Sequence, residues 1–461
     1  MKFLKGKQAI IVFLFFIVLS CAVVNYLSAR PKRINVILIT LDALRADHLG
    51  CYGYSRNTSP NIDKLAEEGV MFSSAISQAT WTGGSLSSLL TAMYPSTHRV
   101  EDWGVVLDKR LTTIAELLKN KQYVTACSSG GDRIYKNVPG MEKGFDHFFD
   151  AIDAKELFKQ AVGWIQKNKN NNFFVWMHLF DYPHAPYHPL PPFDQKFISK
   201  QPAHNLPIGK DKESKSLIGV IPPWVAVSNI ADVNYYISQY DGEIAFADSL
   251  IGELLAELKN EKLNRNTIVI ISSDHGESLG ERGVYFQHGD CLYNQEIRVP
   301  LIISGAIVPR GKVIQYPVQL VDVLPSVAKM LGIKLNIKVE GKSFYPFTAN
   351  KKNNFAFSEV GITKTVEGVK MNFQDKAVIS GGWKLIYESS GRGDRYELYN
   401  LKFDPQELHN LAELPEAKEK LKFLKEKLEI WMYRLKPSIK SLAKPLDEIT
   451  QKKLKSLGYL Q

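Results

Sequence analysis

The run INVILITLDALRADHLGCYGY, residues 34–54, decides the fold. Its first eight residues are apolar apart from Asn35 and Thr40 and show no polar/apolar alternation, the pattern of a strand buried on both faces of a mainly parallel sheet. An acid, Asp42, follows at once, with Arg45 and Asp47 close behind. Similar strand-length runs recur at YVTACSS (123–129), NFFVWMHLF (172–180), TIVIISS (267–273) and VPLIIS (299–304). Between them lie helical patterns: LTTIAELLKNK (111–121), a short helix bracketed by Pro60 and Gly69, and a long one expected over 231–259. Strands alternating with helices predict an α/β fold around a mostly parallel sheet. After Gly332 the texture changes to short strands, AVISGGWKLIY (377–387) and RYELYNL (395–401), and then to a charged amphipathic helix, EAKEKLKFLKEKLEIWMYRL (416–435). We therefore expect three parts: a leading segment over 1–33, a main domain over 34–335, and a smaller C-terminal α+β subdomain over 336–461 with an antiparallel sheet and a basic helical tail.

The formal charge of +10 is carried by the ends of the chain. Residues 1–33 hold six bases and no acid, and residues 434–461 hold seven bases against Asp447 and Glu448, which leaves a net −1 on 34–433. A near-neutral body gives no reason to expect a nucleic-acid groove. From Ala9 to Leu27 the chain runs for 19 residues without a charge, about 28 Å as a helix, close to the hydrocarbon thickness of a bilayer. This predicts a single N-terminal membrane segment, read as an uncleaved anchor. Cleavage at the lipoprotein-like VLSC ending at Cys21, or a secreted form, is the alternative. Three bases on each flank give the positive-inside rule no vote, so an extracytoplasmic catalytic domain follows from the function expected below. Cys21, Cys51, Cys127 and Cys291 show no CxxC spacing, against a zinc ribbon or a disulfide scaffold.

Chemistry in open α/β sheets collects beyond the carboxyl ends of strands, and the polar residues obey that rule. The run 34–41 ends in Asp42, and 267–273 ends in Asp274, His275, Gly276 and Glu277. A lone acid there is often only a helix cap, but Asp274 with His275 and a second strand-end acid make a cation site. Between them, Thr82, Gly83, Gly84 and Ser85 precede the apolar run LSSLLTAM. Backbone N–H groups at a helix start beside the Thr82 hydroxyl suit an anion, although Thr82 as a simple helix cap reads equally well.

The elements NVILITLDALRADHLGCYGY, SPNIDKLAEEGVMF, TWTGGSLSSLLTAMYPSTHRV, HLFDYPHAPY, SDHGESLGERGVYFQHG and RVPLIISG, in this order, resemble the sulfatase family of the alkaline-phosphatase superfamily over most of 34–335. A weaker likeness continues in WKLIY, YELYNLKFDPQELHNLA and LKSLGYL. The resemblance implies a three-layer sandwich and a divalent metal bound by Asp42, Asp274 and His275 together with the nucleophile, Thr82. It implies that His288 contacts the transferred group, and that His184, with His178 as a second, contacts the ester or protonates its leaving group. Ser85, His184 and His288 are the expected substrate contacts.

The chain also departs from the family. Sulfatases carry Cys or Ser at the nucleophile position and oxidise it to formylglycine, with an arginine four residues on; here these are Thr82 and Leu86. Threonine cannot become the aldehyde, so no formylglycine is expected. A phosphothreonine is released by ordinary attack of water at phosphorus, which tilts the reading toward phosphate-type esters. Leu41-Asp42 and Asp274-His275 replace richer carboxylate sets, favouring Zn²⁺ or Mn²⁺ over Ca²⁺. The segment SSGGDRIYKNV lacks the family's Lys-x-His pair. Thr82 and the Asp-His-Gly-Glu string resemble instead the family's phosphoethanolamine transferases and phosphonate or phosphodiester hydrolases. The expected function is a membrane-anchored, metal-dependent hydrolase acting on an anionic ester, sulfate or phosphate-type, through Thr82. The alternatives are transfer of a phosphoryl-linked group to an envelope glycan or lipid, and a silent relative that binds anionic glycans. Asp241, Glu243 and Asp248 read as surface or packing-network residues, Glu277 and Glu281 as supports of the metal ligands, Arg45 and Asp47 as a loop-stiffening pair, and Lys384 has no assigned role.

Overall fold

The computed structural model describes residues 34–435 except 102–103, 129–136, 150–152, 181, 202, 210–217, 229, 349–353, 367–368 and 390–393, and leaves the side chains of 362–373 undescribed. The expected membrane segment and the end of the basic tail lie outside the described residues. Among the described residues no helix is long and apolar enough to cross a membrane.

The run that opened the sequence reading is strand β1 (Asn35–Leu41), buried along its whole length. It lies between two other fully buried strands, β5 (Phe173–Leu179) and β6 (Thr267–Ser273), and is parallel to both. The sheet has eight strands: β1, β2 (Gly69–Phe72), β3 (Val124–Ser128), β4 (His147–Phe148), β5, β6, β7 (Leu301–Gly305) and β8 (Lys312–Ile314), in the order β8-β2-β7-β6-β1-β5-β3-β4. All neighbours are parallel except where β7 runs against β6 and β2. The expected mostly parallel sheet is present, and VPLIIS enters it as the reversed strand.

Side chains on one face of the sheet, Ile37, Ile39, Leu41, Phe173, Val175, Met177, Val269 and Ile271, form a single buried cluster with helices α3 (Ala154–Asn168) and α4 (Val233–Asn260). Each strand alternates, so Leu38, Thr40, Trp176, His178 and Ser272 face the other way, and all are buried. Covering on both faces is why these strands read as unbroken apolar runs. Helix α1 (Pro60–Glu67) starts on Pro60 as expected, and its first N–H groups are met by the Asp248 carboxylate of α4, with Asn61 N at 3.1 Å and Ile62 N at 2.8 Å. Asp241 bonds His48, Tyr54 and Arg56, and Glu243 accepts from His188 N. All three acids thus serve packing, as read.

The C-terminal part is a four-stranded antiparallel sheet, β9 (Ala356–Val366), β10 (Val369–Ser380), β11 (Trp383–Glu388) and β12 (Arg395–Asn400), each paired with the next. Helix α5 (Lys418–Arg434) covers it with Leu424, Leu428 and Trp431. The Trp431 ring stacks on Phe357 at 4.6 Å and meets Tyr94 edge-on at 5.1 Å.

Candidate active site

Register builds the site. Thr40 of β1 stands opposite His178 on one side and Ser272 on the other, and Leu41 stands opposite Leu179 and Ser273. Asp42 and Asp274 therefore leave adjacent strands side by side. Asp42 N donates to Leu179 O at 3.1 Å. The turn after β1 is held by Tyr240 of α4, whose hydroxyl donates to Ala43 O at 2.8 Å and accepts from Arg45 N at 2.9 Å. Ala43 sits at φ +56°, a left-handed conformation that costs a non-glycine residue about 1 kcal/mol or more. Tyr240 and Asp274 Oδ1, which accepts from Ala43 N at 3.2 Å, hold it there.

Asp42, His178 and Asp274, all fully buried, each offer a ligand atom within 4.8 Å of the others. His178 Nδ1 is 2.9 Å from Thr40 Oγ1, while its Nε2 and Asp274 Oδ2 have no hydrogen-bond partner. His275 completes the set. Its Nδ1 lies 2.9 Å from Gly276 O, a contact that an N–H makes, so in the neutral ring the lone pair sits on Nε2. That lone pair faces Asp42 Oδ1 at 3.5 Å and Asp274 Oδ2 at 3.4 Å. Two buried carboxylates and an imidazole lone pair turned on one another repel unless a cation lies among them, so these residues fit a divalent metal. With His275 the donors are two carboxylate oxygens and two imidazole nitrogens. His178, expected as a second proton-delivering histidine, stands instead among the ligand-type residues, because the register sets it beside both strand ends.

Thr82 opens helix α2 (Thr82–Thr91) but does not cap it; the cap position belongs to Trp81. The Thr82 hydroxyl lies 3.2 Å from His275 Nε2, which sets its oxygen beside the ligand-type atoms. The glycines that follow are required by Trp81: a Cβ on Gly83 would come 2.3 Å from the indole Cζ3, and one on Gly84 2.7 Å from its Nε1. Ser85 needs correction as a substrate contact. Its buried hydroxyl donates to Asp274 O at 2.6 Å and lies 2.9 Å from Ser77 Oγ, so it fixes the strand end that carries Asp274.

His288 packs its ring 4.2 Å from His275 and 5.2 Å from His184, which stacks on Phe180 at 6.2 Å. Its Nδ1 meets Glu277 Oε1 at 3.1 Å. Burial, and then the neighbouring imidazoles, hold His184 and His288 well below the ordinary histidine range, while burial pushes the Glu277 carboxyl up to about 8. Arg45 pairs with Asp47 at 2.7 Å and with Glu281 at 2.6 Å. Two buried residues on the C-terminal sheet side reach the His288 loop: Lys384 Nζ donates to Leu292 O at 3.0 Å and pairs with Glu407 at 2.7 Å, and Asn294 N donates to Glu407 at 2.6 Å. Lys384 thereby gains a role that its sequence context did not supply. Glu296, also buried, was not singled out by the sequence; an acid inside the apolar-flanked NQEIRVP was the available signal. Most of the segment compared with the Lys-x-His pair lies outside the described residues.

The sulfatase family model matches residues 34–333, and the model of the N-sulphoglucosamine sulphohydrolase C-terminal region matches 280–433. A sulfatase of Formosa agariphila is 25% identical over 454 residues, covering 85% of each chain. Among solved structures, a protein in complex with its substrate D-glucosamine-2-N,6-O-disulfate superposes with a TM-score of 0.70 at 20% identity, over 88% of this chain and 98% of that one. A phosphonate monoester hydrolase of Agrobacterium radiobacter superposes with a TM-score of 0.71 at 19% identity, over 90% of this chain and all of the other. Those two likenesses are of fold. With the family model spanning well over half of its length and residues able to hold a metal gathered at the sheet's carboxyl end, the chain belongs to the sulfatase family, a family of metal-dependent hydrolases.

Proposed function

We propose that the chain hydrolyses an anionic ester through the Thr82 hydroxyl, with phosphate-type esters as the preferred class and sulfate esters as the second reading. The observation that carries this is the Thr82 hydroxyl 3.2 Å from His275 Nε2, beside the buried Asp42, His178 and Asp274. A divalent ion held by these residues would supply Lewis-acid polarisation of the ester and of the nucleophile. The chain's own groups do the rest. His275 stands beside the Thr82 oxygen, His288 meets the oxygens of the transferred group, and the proton that Thr82 loses as its Oγ bonds phosphorus passes to the buried, neutral His184, which delivers it to the departing alcohol as the ester bond breaks. The bond from Thr82 Oγ to phosphorus is then cleaved by water, returning the threonine. A threonyl sulfate has no comparable exit, which supports the phosphate reading; the sulfatase match and the Formosa relative support the other. The apolar run 9–27 supports an enzyme anchored at a membrane, and a site for this unit outside the cytoplasm rests on the proposed function.

The test is turnover of an aryl sulfate, an aryl phosphate, a phosphodiester and a phosphonate ester with Mn²⁺, Zn²⁺ and Ca²⁺, comparing wild type with Thr82→Ala and Thr82→Ser. Thr82→Ala should abolish turnover without loss of fold, and Thr82→Ser should retain part of it. Wild-type turnover by Thr82→Ala would refute the mechanism. A preference for the sulfate ester would replace the phosphate reading by the second one.

A further inference from the structure

Behind the four histidines lies a buried acid with no part in the chemistry above. Glu296 stands in the short helix Asn294–Ile297 and is 1% exposed. Its Oε2 accepts from three successive backbone N–H groups: Gly289 at 3.0 Å, Asp290 at 3.3 Å and Cys291 at 3.4 Å. Its Oε1 accepts from Ser278 Oγ at 2.9 Å and from the Cys291 thiol at 3.1 Å. These three residues begin where His288 ends, and Gly289 at φ +102° is the turn that aims the chain away from it. The main chain of the same residue reaches the other side of the site, because Glu296 O accepts from Gly276 N at 2.8 Å, next to His275. The two segments are pressed together there: a Cβ on Gly276 would lie 2.0 Å from Gln295 O.

We propose that Glu296 is a positioning residue that fixes His288 against His275, by gathering the 289–291 backbone into its carboxylate while its own carbonyl anchors Gly276. The proposal rests on the role given to His288 in the proposed function. Lys384 and Glu407 hold the same loop farther along, at Leu292 and Asn294, so the stretch that follows His288 is pinned from both sides. A misplacement of about 1 Å in such a group lowers turnover by up to about 100-fold.

Glu296→Gln keeps the shape but turns an amide NH₂ toward a cluster of donors. On the best ester its kcat should fall roughly 10- to 100-fold with KM changed much less. In a His288→Ala background the same substitution should cost nothing further, since an effect exerted through His288 is already lost. An equal loss in both backgrounds would overturn the proposal and leave Glu296 a purely structural residue. A second readout does not depend on turnover: in the metal-loaded protein, the ring ¹⁵N–¹H signals of His288 should shift or split in Glu296→Gln while those of His98 stay in place. Unchanged His288 signals would overturn the proposal; shifted signals in a protein that hydrolyses none of the esters would uphold the positioning while refuting the proposed function. If Glu296→Gln does not fold, Glu296→Asp, which keeps the carboxyl and withdraws the oxygens by one methylene, is carried through the same measurements with the same outcomes.

Discussion

Replacing Lys384 by methionine isolates the value of one buried charge. Lys384 and Glu407 are both fully buried, with Nζ and Oε1 2.7 Å apart. Methionine fills most of the lysine stem's volume, so the cavity contribution is small, below about 1.5 kcal/mol. What remains is a carboxylate stranded in the interior, a change that costs about 3–5 kcal/mol when one partner of a buried pair is removed. Glu407 keeps one charge-assisted hydrogen bond, from Asn294 N at 2.6 Å, which places the expected loss near 3 kcal/mol, at the lower end of that range. The lysine also leaves Leu292 O without its donor, so the loop behind His288 should loosen. Urea unfolding followed by circular dichroism, on Lys384→Met, Glu407→Gln and the double variant, measures this. Lys384→Met should show the lowest midpoint, and the double variant should recover about 1–3 kcal/mol relative to the sum of the single changes. A Lys384→Met midpoint equal to wild type, or strictly additive single changes, would refute the reasoning, because the pair would then be no more than two independently accommodated side chains.

Four further outcomes are expected. Gly83→Ala, normally favourable inside a helix, should destabilise by about 1–3 kcal/mol because its methyl group meets the Trp81 indole; Trp81→Ala should relieve that cost in a thermal melt, and stabilisation by Gly83→Ala alone would contradict the contact. His98 accepts from Val100 N and meets Ser88, and burial lowers its pKa from 6.5 to about 3. Between those values the unfolded chain takes up a proton that the folded chain refuses, so stability falls as pH drops, by about 2 kcal/mol from pH 7 to pH 5; His98→Gln should lose less over that window, and an identical loss would count against it. Removal of the divalent ion by a chelator should lower Tm, by the equivalent of about 2.7 kcal/mol at a free-ion level one hundred times Kd. His178→Ala should bind less than one equivalent of metal by elemental analysis, and full retention would remove His178 from the ligand set.

The strand ends were legible because a parallel sheet buried on both faces leaves an unmistakable run, and because Asp42, Asp274 and His275 follow stretches without a charge at their carboxyl ends. His178 was legible as a histidine but not as a ligand-type one: it lies inside its strand, and only the pairing of Thr40 with His178 shows that it reaches the same point as residues at the strand ends. The edge strands His147–Phe148 and Lys312–Ile314, and Gly69–Phe72 just inside one edge, are two to four residues long and owe their conformation to a neighbour rather than to any local pattern. Gly83 and Gly84 were read as openings for an anion, whereas the space they leave is taken by the preceding tryptophan, a contact that spacing alone does not reveal. Lys384 and Glu296 carry no periodic signal, since their partners are loops distant in sequence.

The central position of β1 also bears on how the chain is made. Asn35 and its hydrogen-bond partner Thr267 are 232 positions apart, and at roughly 5–20 residues per second a ribosome takes on the order of 10–50 s to supply the second after the first. Through that interval the most apolar strand of the sheet waits with one edge unmatched, which makes NVILITL the segment for a chaperone to hold and the first to aggregate when synthesis stalls.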